Sequence, residues 1–439
     1  MQGAAALPRS LADKSLMEQM DRVPEGLGVS SPPGLLAGRR VALLHPAWHS
    51  CGTYQVVLGQ IAAYRALQAE IYPIAISSDP AFIPGRDWLW RSFVHSTPEL
   101  SRGPRFFGGA PLHKIISPIF LKDVLWPYLH GDQAVMRLGM SMRAEISPAC
   151  TAQRFDLVHC NHFFLMPLAQ RLARAKAPIL LDSHDLQARQ FALINKRMPW
   201  LKPAVSYEAM LARELEAMGS ADLLLHLNAQ EAGEFSALLP HKRHALLYPA
   251  TPPAPMGPGG EDIVIVASNN TANVESLIWF LREVAPKIPD VRVTIAGNVD
   301  AGLRAQAPEE FSRYREWFTG RVDDPGRIYA CARLVLLPTI SGHGLSIKTI
   351  EAFSSGLPIV ATSLALRGLG AEAHMLDGVR VADTADDFAR AICGVLQDKP
   401  RAPEAREKSA ARDYYNRHFS QKAYETHLAE LIFSLIQND

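Results

Sequence analysis

Short apolar runs alternate with stretches of helical periodicity through most of this chain. The first run, "RVALLH" from Arg40, precedes the glycine-containing loop "PAWHSCG", a helical pattern from Thr53 to about Leu67, and the run "IYPIAI". A strand that is covered on both faces reads as a continuous apolar run, and strand–loop–helix–strand is the βαβ unit of a parallel sheet. Because the alternation resumes with "FDLVHCNH", "PILLDSH" and "ADLLLHL", the sequence predicts an α/β fold with parallel sheets.

A segment rich in proline and glycine divides the alternation in two. Residues 248–262, "YPATPPAPMGPGGED", hold five prolines and three glycines, which is typical of a linker. A second series of strand and helix patterns follows, from "DIVIVA" to "LPIVAT". We therefore expect two doubly wound, Rossmann-like domains facing a central cleft, where such sheets bind ligands. The predicted parts are a loosely ordered N-terminal extension (1–38), a first domain (39–250), a linker (251–262), a second domain (263–405) and C-terminal helices (406–439) that pack on either domain.

Composition argues against several classes of protein. The 439 residues are 48% apolar and carry a formal net charge of +1, so no charge excess indicates a nucleic-acid partner. The sequence has no run of about 18 apolar residues, so it predicts no membrane span. Five dispersed cysteines without a CxxC pair favour reduced thiols, and thus a cytoplasmic protein, over a disulfide framework or a zinc site. These cysteines are Cys51, Cys150, Cys160, Cys331 and Cys393.

The stretch 336–362, "LLPTISGHGLSIKTIEAFSSGLPIVAT", has the richest chemistry. A strand pattern ends there, a loop with Gly342 and Gly344 follows, and a helix is predicted over 347–355. Glycines allow close approach of a ligand, and a helix N-terminus binds phosphate. Lys348 and Glu351 are three residues apart and share a helix face, where they suit a diphosphate and ribose hydroxyls. The alternative is an ordinary βα turn with a solvated ion pair.

Several motifs in sequence order resemble those of the family-four (group 1) glycosyltransferases. "GHGLSIKTIEAFSSGLPIVATSLALRGL" resembles the family signature, and "FTGRVDDPGRIYACARLVLLPT" and "NVESLIWFLREVAPKIPDVRVTIAGNV" resemble the segments before it. The resemblance covers roughly 40–400. It implies the GT-B fold, a nucleotide-diphosphate sugar as co-substrate without a further cofactor, and transfer of a hexose with retention of configuration.

The resemblance also implies roles for individual residues. Glu351 corresponds to the carboxylate that binds the nucleotide ribose, and Gly52 would lie against the diphosphate. His184 matches the histidine beside the donor sugar, with Asp185 as its orienting group or as a helix cap, and His159 is a weaker candidate. The loop that would cradle the phosphate and sugar consists of Gly342, His343, Gly344, Leu345 and Ser346.

Two departures from the family pattern bear on these roles. Many members have an arginine and a lysine after the first strand of their second domain, which binds the donor; this chain reads "ASNNTANVE" there. Asn269 and Asn270 offer neutral hydrogen bonds there, Asn273 is a candidate N-cap, and Lys348 is the candidate for the missing charge. His343 stands where the family has the first glutamate of its Glu–x7–Glu pattern. We take His184, Lys348 and Glu351 as the catalytic set.

The sequence leaves the acceptor and some alternatives open. With no Asp–x–Asp pair, we expect no metal. We expect the acceptor to be a glycan, glycolipid or protein, in cell-surface polysaccharide, glycolipid or glycoprotein assembly. Residues 80–130 mix basic and aromatic side chains, which suits either peripheral membrane contact or an ordinary packed insertion. A catalytically silent subunit that binds a partner enzyme and a nucleotide-sugar epimerase are the competing functions.

Overall fold

The computed structural model describes residues 34, 36–48, 52–76, 106–108, 118–130, 146, 148–190, 192, 206–322, 326–342 and 344–437. Most of the predicted N-terminal extension, 1–33, lies outside the described residues, as does most of the segment 80–130. The chain forms two compact units, Met1–Leu247 with Glu425–Asp439, and Tyr248–Tyr424. In the described ranges, no helix has the length and apolar character needed to cross a membrane.

A seven-stranded parallel sheet forms the centre of the N-terminal unit. Its strands are β1 (Arg40–Pro46), β2 (Glu70–Ile76), β3 (Phe106–Gly108), β4 (Leu157–Asn161), β5 (Ile179–Asp182), β6 (Leu223–His226) and β7 (His244–Leu246). They lie in the order β3-β2-β1-β4-β5-β6-β7. Strands β4, β5 and β6 are buried along their whole length. This explains their apolar sequences, because a parallel sheet is covered on both faces.

Helices connect these strands. The longer ones are α1 (Gly52–Ala66), α2 (Met166–Ala173), α3 (Tyr207–Met218) and α4 (Ala229–Leu238). Ser206 and Asn228 cap α3 and α4 by accepting hydrogen bonds from backbone N–H groups three residues on. Shorter helical segments span Pro118–Phe120, Leu121–Leu125, Trp126–Leu129, Pro148–Thr151 and Phe163–Leu165.

The C-terminal unit contains a six-stranded parallel sheet. Its strands are β8 (Asp262–Val266), β9 (Val293–Ala296), β10 (Phe318–Gly320), β11 (Ala332–Leu337), β12 (Ile359–Ala361) and β13 (Val379–Val381). They lie in the order β10-β9-β8-β11-β12-β13. The two sheets confirm the predicted parallel α/β architecture.

The helices of this unit follow its strands. They are α5 (Thr271–Trp279), α6 (Asp300–Gln306), α7 (Pro308–Arg313), α8 (Gly326–Ala330), α9 (Ile347–Ser355), α10 (Ala385–Leu396), α11 (Pro403–Glu407) and α12 (Ala410–His418). The last helix, α13 (Gln421–Ile436), begins in this unit and continues in the N-terminal one. Short π or 3₁₀ segments span Phe280–Val284, Ala285–Lys287, Arg315–Trp317, Ser363–Leu366 and Ala371–Met375.

Each sheet has one point at which the strand order reverses. In the N-terminal unit the chain builds outward from β1 and then places β4 on the other side of β1. In the C-terminal unit the same happens at β8, which has β9 on one side and β11 on the other. The loops at the carboxyl ends of the two strands flanking such a point diverge and leave a crevice, where open α/β sheets bind ligands. The loops after β1, β4, β8 and β11 are therefore the places to look for a site.

The proline- and glycine-rich segment 248–261 has neither helix nor strand, yet it is fixed to the C-terminal unit. The backbone of Thr251 hydrogen-bonds to Phe419 O, and the N–H group of Ala254 donates to Ser354 Oγ at 2.8 Å. Further along, Gly260 packs so closely on the backbone of Cys331 that a Cβ would lie 2.2 Å from its carbonyl oxygen. Close packing thus requires a glycine at position 260.

One strand lies where the sequence shows no periodicity. Phe106–Gly108, within the segment 80–130, forms the edge strand β3 and pairs in parallel with Ile74–Ile76 of β2. A strand of three residues is too short for an alternating pattern to be recognised, so this element could not have been predicted.

Candidate functional site

Three loops line the crevice of the C-terminal unit. They follow the adjacent strands β8, β11 and β12, so they lie at one edge of the sheet. Hydrogen bonds join them: Ile340 N donates to Ser276 Oγ of α5 at 3.1 Å, and Thr362 Oγ1 donates to Thr339 O. The loop after β11 is therefore held to both of its neighbours.

The glycine-containing loop after β11 leads directly into α9. Gly342 and Gly344 have backbone φ angles of +127° and +65°, which L side chains rarely adopt. Leu345 is partly buried and Ser346 is buried at the N-cap position. Within the part of the chain that the structure describes, the Ser346 hydroxyl caps no N–H group of α9. The first turn of this nine-residue helix thus keeps N–H groups for an anion. His343 lies outside the described residues.

Lys348 lies in the first turn of α9 and reaches across the crevice. Its Nζ donates to Asn273 Oδ1 of α5 at 2.8 Å. Asn273 is itself oriented, because its Nδ2 donates to Ser268 O at 2.9 Å and to Ser268 Oγ at 3.1 Å. Burial, and after it the charge of Arg367, lower the pKa of Lys348 to about 8. A partly desolvated ammonium of this kind is stabilised by an anionic ligand.

Glu351 lies one turn after Lys348 on the same helix. The hydroxyl of the buried Tyr329 donates to Glu351 Oε2 at 3.4 Å. Burial raises the pKa of Glu351, and the Tyr329 hydrogen bond partly opposes this. A carboxylate held in this way can accept hydrogen bonds from vicinal hydroxyl groups.

The asparagines after β8 divide their roles differently from the sequence interpretation. Asn270, an expected donor-binding residue, is the N-cap of α5: its Oδ1 accepts from Asn273 N at 2.9 Å. Asn273, interpreted as a possible cap, instead holds Lys348. The N–H group of Asn269 donates to Asn298 Oδ1 at 2.8 Å. Both Asn269 and Asn270 are exposed.

Arg367 is a residue of this crevice that sequence reasoning missed. It follows β12, in the loop "SLALRGL", and is partly buried. Its Nη1 donates to Leu364 O at 2.9 Å, and its Nη2 lies 3.0 Å from the position that a Cβ on Gly342 would take. Burial lowers the pKa of the guanidinium. The sequence signal that could have identified Arg367 is its position: it is a cation in the loop after a predicted strand that is adjacent to β11.

The N-terminal unit has a buried polar network behind His184. His184 Nε2 lies 2.7 Å from Asn161 Oδ1, and Gln60 Nε2 donates to both Asn161 Oδ1 and Asp182 Oδ2, at 3.0 and 3.1 Å. Asn161 Nδ2 donates to Leu44 O, which can only accept, so Oδ1 faces His184. His184 therefore donates from Nε2 and keeps Nδ1 as an acceptor. Asn161 thus orients this ring from Nε2, and the roles expected for Asp185, orienting His184 or capping the next helix, stay predictions.

Burial sets the charges of this network. It lowers the pKa of His184 to about 3 and raises that of Asp182 to about 7. His184 is consequently a neutral imidazole at physiological pH. It suits hydrogen bonding to a hydroxyl group better than it suits charge neutralisation.

Two glutamates clamp the backbone that follows His184. Glu214 accepts from the N–H groups of Gln187 and Ala188 at 3.0 and 2.9 Å, and Glu231 accepts from Leu186 N at 3.3 Å. Carboxylates at the N-terminus of a helical segment satisfy its free N–H groups. Burial raises the pKa of both to about 7.

His162, which the sequence reasoning did not single out, lies beside His184. Their rings stack with centroids 4.1 Å apart, and both residues have positive φ angles, 70° and 60°. His162 follows β4 at the switch point, and its Nε2 lies 3.3 Å from Thr53 Oγ1 in α1. Strained backbone is concentrated at functional sites. The alternative candidate His159 is buried under α1, where its Nδ1 hydrogen-bonds to Tyr64.

Gly52, the candidate phosphate contact of this unit, is the first residue of α1. It lies in the connection after β1, on the opposite side of the switch point from His162. The sequence-predicted residues thus form two groups: Gly52 and His184 in the N-terminal unit, and Lys348, Glu351 and the glycine-containing loop in the C-terminal unit.

Residues 260–398 match the model of a family described as glycosyl transferases group 1. This confirms the resemblance that the motifs indicated. A phosphatidyl-myo-inositol mannosyltransferase from Mycolicibacterium smegmatis is 25% identical over 285 residues, which cover 63% of this chain and 71% of that protein.

Two further similarities concern a short segment and the fold. An uncharacterized 44.6 kDa protein in the cps region of Klebsiella pneumoniae is 28% identical over 107 residues, and this chain spans only 28% of its length and matches it over 22% of its own. The solved structure of Anabaena Alr3699/HepE in complex with UDP and glucose superposes with a TM-score of 0.55 at 14% identity, covering 90% of this chain and 99% of that one. The fold is the GT-B fold.

Proposed function

We propose that this chain, whose residues 260–398 match the model of the group 1 glycosyltransferases, transfers a sugar from a nucleotide-diphosphate donor to an acceptor hydroxyl group. The observation that carries the proposal is the arrangement at α9. A glycine-containing loop opens onto the helix N-terminus, and Lys348 and Glu351 follow one turn apart on the same helix. Phosphate oxygens match the N–H groups and the ammonium, and ribose hydroxyls match the carboxylate.

The mechanism assigned to these residues is electrostatic. Transfer breaks the bond between the anomeric carbon and the diphosphate oxygen, so negative charge grows on the diphosphate. Lys348 and the N–H groups of α9 stabilise that charge, the largest contribution in reactions of this kind. Positive charge from the protein takes the place of a metal ion in this proposal. In the N-terminal unit we assign contact with the sugar to the neutral His184.

The family resemblance supports retention of configuration at the anomeric carbon and a hexose as the transferred group. Uridine nucleotides are the first donors to examine, because UDP occupies the Anabaena structure. Mannose donors come next, because the mycobacterial relative is a mannosyltransferase. Assembly of a cell-surface polysaccharide or glycolipid is the proposed context, and a cytoplasmic enzyme that contacts the membrane fits a lipid-linked acceptor.

The described part of 80–130 supports this membrane contact. Trp126 is 64% exposed, Leu129 59% and Leu121 46%, and Lys122 is exposed beside them. Exposed aromatic and aliphatic side chains next to a lysine suit the interface of an anionic bilayer. Sedimentation with vesicles containing anionic lipid should capture the wild type and leave Trp126→Ser in solution. Equal sedimentation of both would contradict the assignment.

The donor site is tested by thermal unfolding in the presence of UDP, GDP, dTDP, ADP and CMP and their sugars. At a hundredfold excess over Kd, a ligand should stabilise the wild type by about 2.7 kcal/mol. We expect one nucleotide diphosphate to stabilise the wild type and the control Glu404→Ala, whose site is an exposed position on α11. Glu351→Ala should not respond. If no nucleotide stabilises the folded wild type, the silent-subunit alternative replaces this proposal.

A further inference from the structure

The guanidinium of Arg367 lies over the backbone of the loop that leads into α9. Its Nη2 is 3.0 Å from the position of a Cβ on Gly342, so the guanidinium packs directly against this glycine. Its Nη1 is held by Leu364 O at 2.9 Å. The side chain is therefore directed at the loop by its own turn.

The loop that carries Arg367 is fixed to α9. Thr349 Oγ1 of α9 donates to Ala365 O at 2.7 Å, two residues before Arg367. The hydroxyl of Thr362, at the start of the same loop, donates to Thr339 O. These hydrogen bonds fix the position of the loop that carries Arg367 relative to the helix that carries Lys348.

Two cations in one partly buried place repel each other. Lys348 has Asn273, a neutral partner, on its Nζ, and the charge of Arg367 contributes to the low pKa of Lys348. The carboxylate on the same helix, Glu351, receives a hydrogen bond from Tyr329. An anion that binds beside Lys348 and Arg367 relieves the repulsion between the two cations.

We propose that Arg367 and Lys348 together form a two-cation subsite for the diphosphate of the donor. This inference rests on the proposed function and names the second cation of its donor site. The chain has no basic residue between 267 and 275, where many family members have an arginine and a lysine. Arg367 would supply that charge from the loop after β12. A guanidinium can also bind two phosphate oxygens at once.

The test is calorimetric titration of the full-length protein with UDP, GDP, uridine and inorganic pyrophosphate at several salt concentrations. Arg367→Gln should lower the affinity for the nucleoside diphosphate that binds by about ten- to a hundredfold, because a charged hydrogen bond is lost. Nucleotide binding by this variant should also depend less on salt concentration than binding by the wild type does. Affinity for the nucleoside alone should not change. Arg390→Gln, an exposed position on α10, is the matched control and should bind as the wild type does.

The outcomes separate this inference from the proposed function. Equal nucleotide affinity of the wild type and Arg367→Gln would overturn the subsite and leave the function standing. Equal loss for nucleoside and nucleotide would show that Arg367 only supports the loop, and would also overturn it. Pyrophosphate binding that depends on Arg367, without binding of UDP or GDP, would keep the anion subsite and reject UDP and GDP as the donor nucleotides. If Arg367→Gln does not fold, Arg367→Lys should show a smaller loss of the same kind.

Discussion

The imidazole rings of His162 and His184 stack with their centroids 4.1 Å apart and their planes 14° from parallel. They follow the adjacent strands β4 and β5, and each occupies the left-handed region of backbone conformation. Such strain persists only where the surroundings enforce it. The surroundings here are Asn161 and Gln60 below His184 and the ring of Phe164 on His162. The pair thus presents one ring in a fixed orientation at the carboxyl edge of the sheet.

This stack predicts that His162 positions His184. His162→Ala should lower kcat/KM of transfer about two- to tenfold, because an aromatic pair contributes about 0.5–1.5 kcal/mol. His162→Phe retains a ring for stacking and should restore most of the activity. Steady-state kinetics with the preferred donor would decide. Equal losses in the two variants would show that stacking is irrelevant and that an imidazole nitrogen is needed.

The lowered pKa of Lys348 predicts that the affinity for the donor depends on pH. Its folded pKa is about 8 without ligand, and a bound diphosphate favours the ammonium. Affinity for the nucleotide diphosphate should therefore fall as pH rises above about 8, by up to about tenfold per pH unit. Lys348→Arg keeps its charge throughout and should remove this dependence. Calorimetry from pH 7 to 10 measures both, and parallel curves for wild type and variant would contradict the assignment.

The raised pKa of Asp182 predicts that the difference in stability between Asp182→Asn and the wild type depends on pH. Burial raises its folded pKa to about 7 from 3.8, so its favourable contribution is complete below about pH 4 and is lost as pH rises through about 7. The free energy of unfolding of Asp182→Asn, relative to wild type, should therefore increase between pH 4 and 7 and then level off. Urea unfolding at a series of pH values tests this. A difference that stays constant over that range would mean that Asp182 is charged throughout.

Much of this architecture can be predicted from the sequence, because long apolar runs such as "RVALLH" have few alternatives to a buried strand. The helix at 347–355 and the candidate site residues Lys348 and Glu351 follow from local spacing. His162 and Arg367 do not, because their importance comes from neighbours on other strands: His184 across β4 and β5, and Gly342 across β11 and β12. The exchange of roles between Asn270 and Asn273 depends on a one-turn difference in where α5 begins.

The surroundings of Gly356 explain why the motif "SSGLPIVAT" has a glycine, and they give a prediction about stability. It ends α9 with a φ of +67°, and a Cβ there would lie 2.2 Å from Arg406 O. Gly320 has a similar φ of +70° with nothing within 4 Å of a Cβ. Gly320→Ala should cost about 1–2 kcal/mol from backbone strain alone, and Gly356→Ala should cost clearly more. Equal values of the unfolding free energy for the two variants would show that the contact with Arg406 relaxes freely.

Release of the nucleoside diphosphate measures directly whether this protein transfers sugar from a nucleotide-diphosphate donor. Sugar nucleotides of uridine, guanosine, thymidine and adenosine are incubated with the protein and EDTA, with a hydroxyl acceptor pool or with water as acceptor, and the products are followed by NMR. We expect one donor to yield its nucleoside diphosphate and an α-configured sugar product, and Glu351→Ala and Lys348→Ala to reduce the rate at least tenfold. Intact donors with folded wild-type protein, across the whole panel and with metal restored, would contradict it.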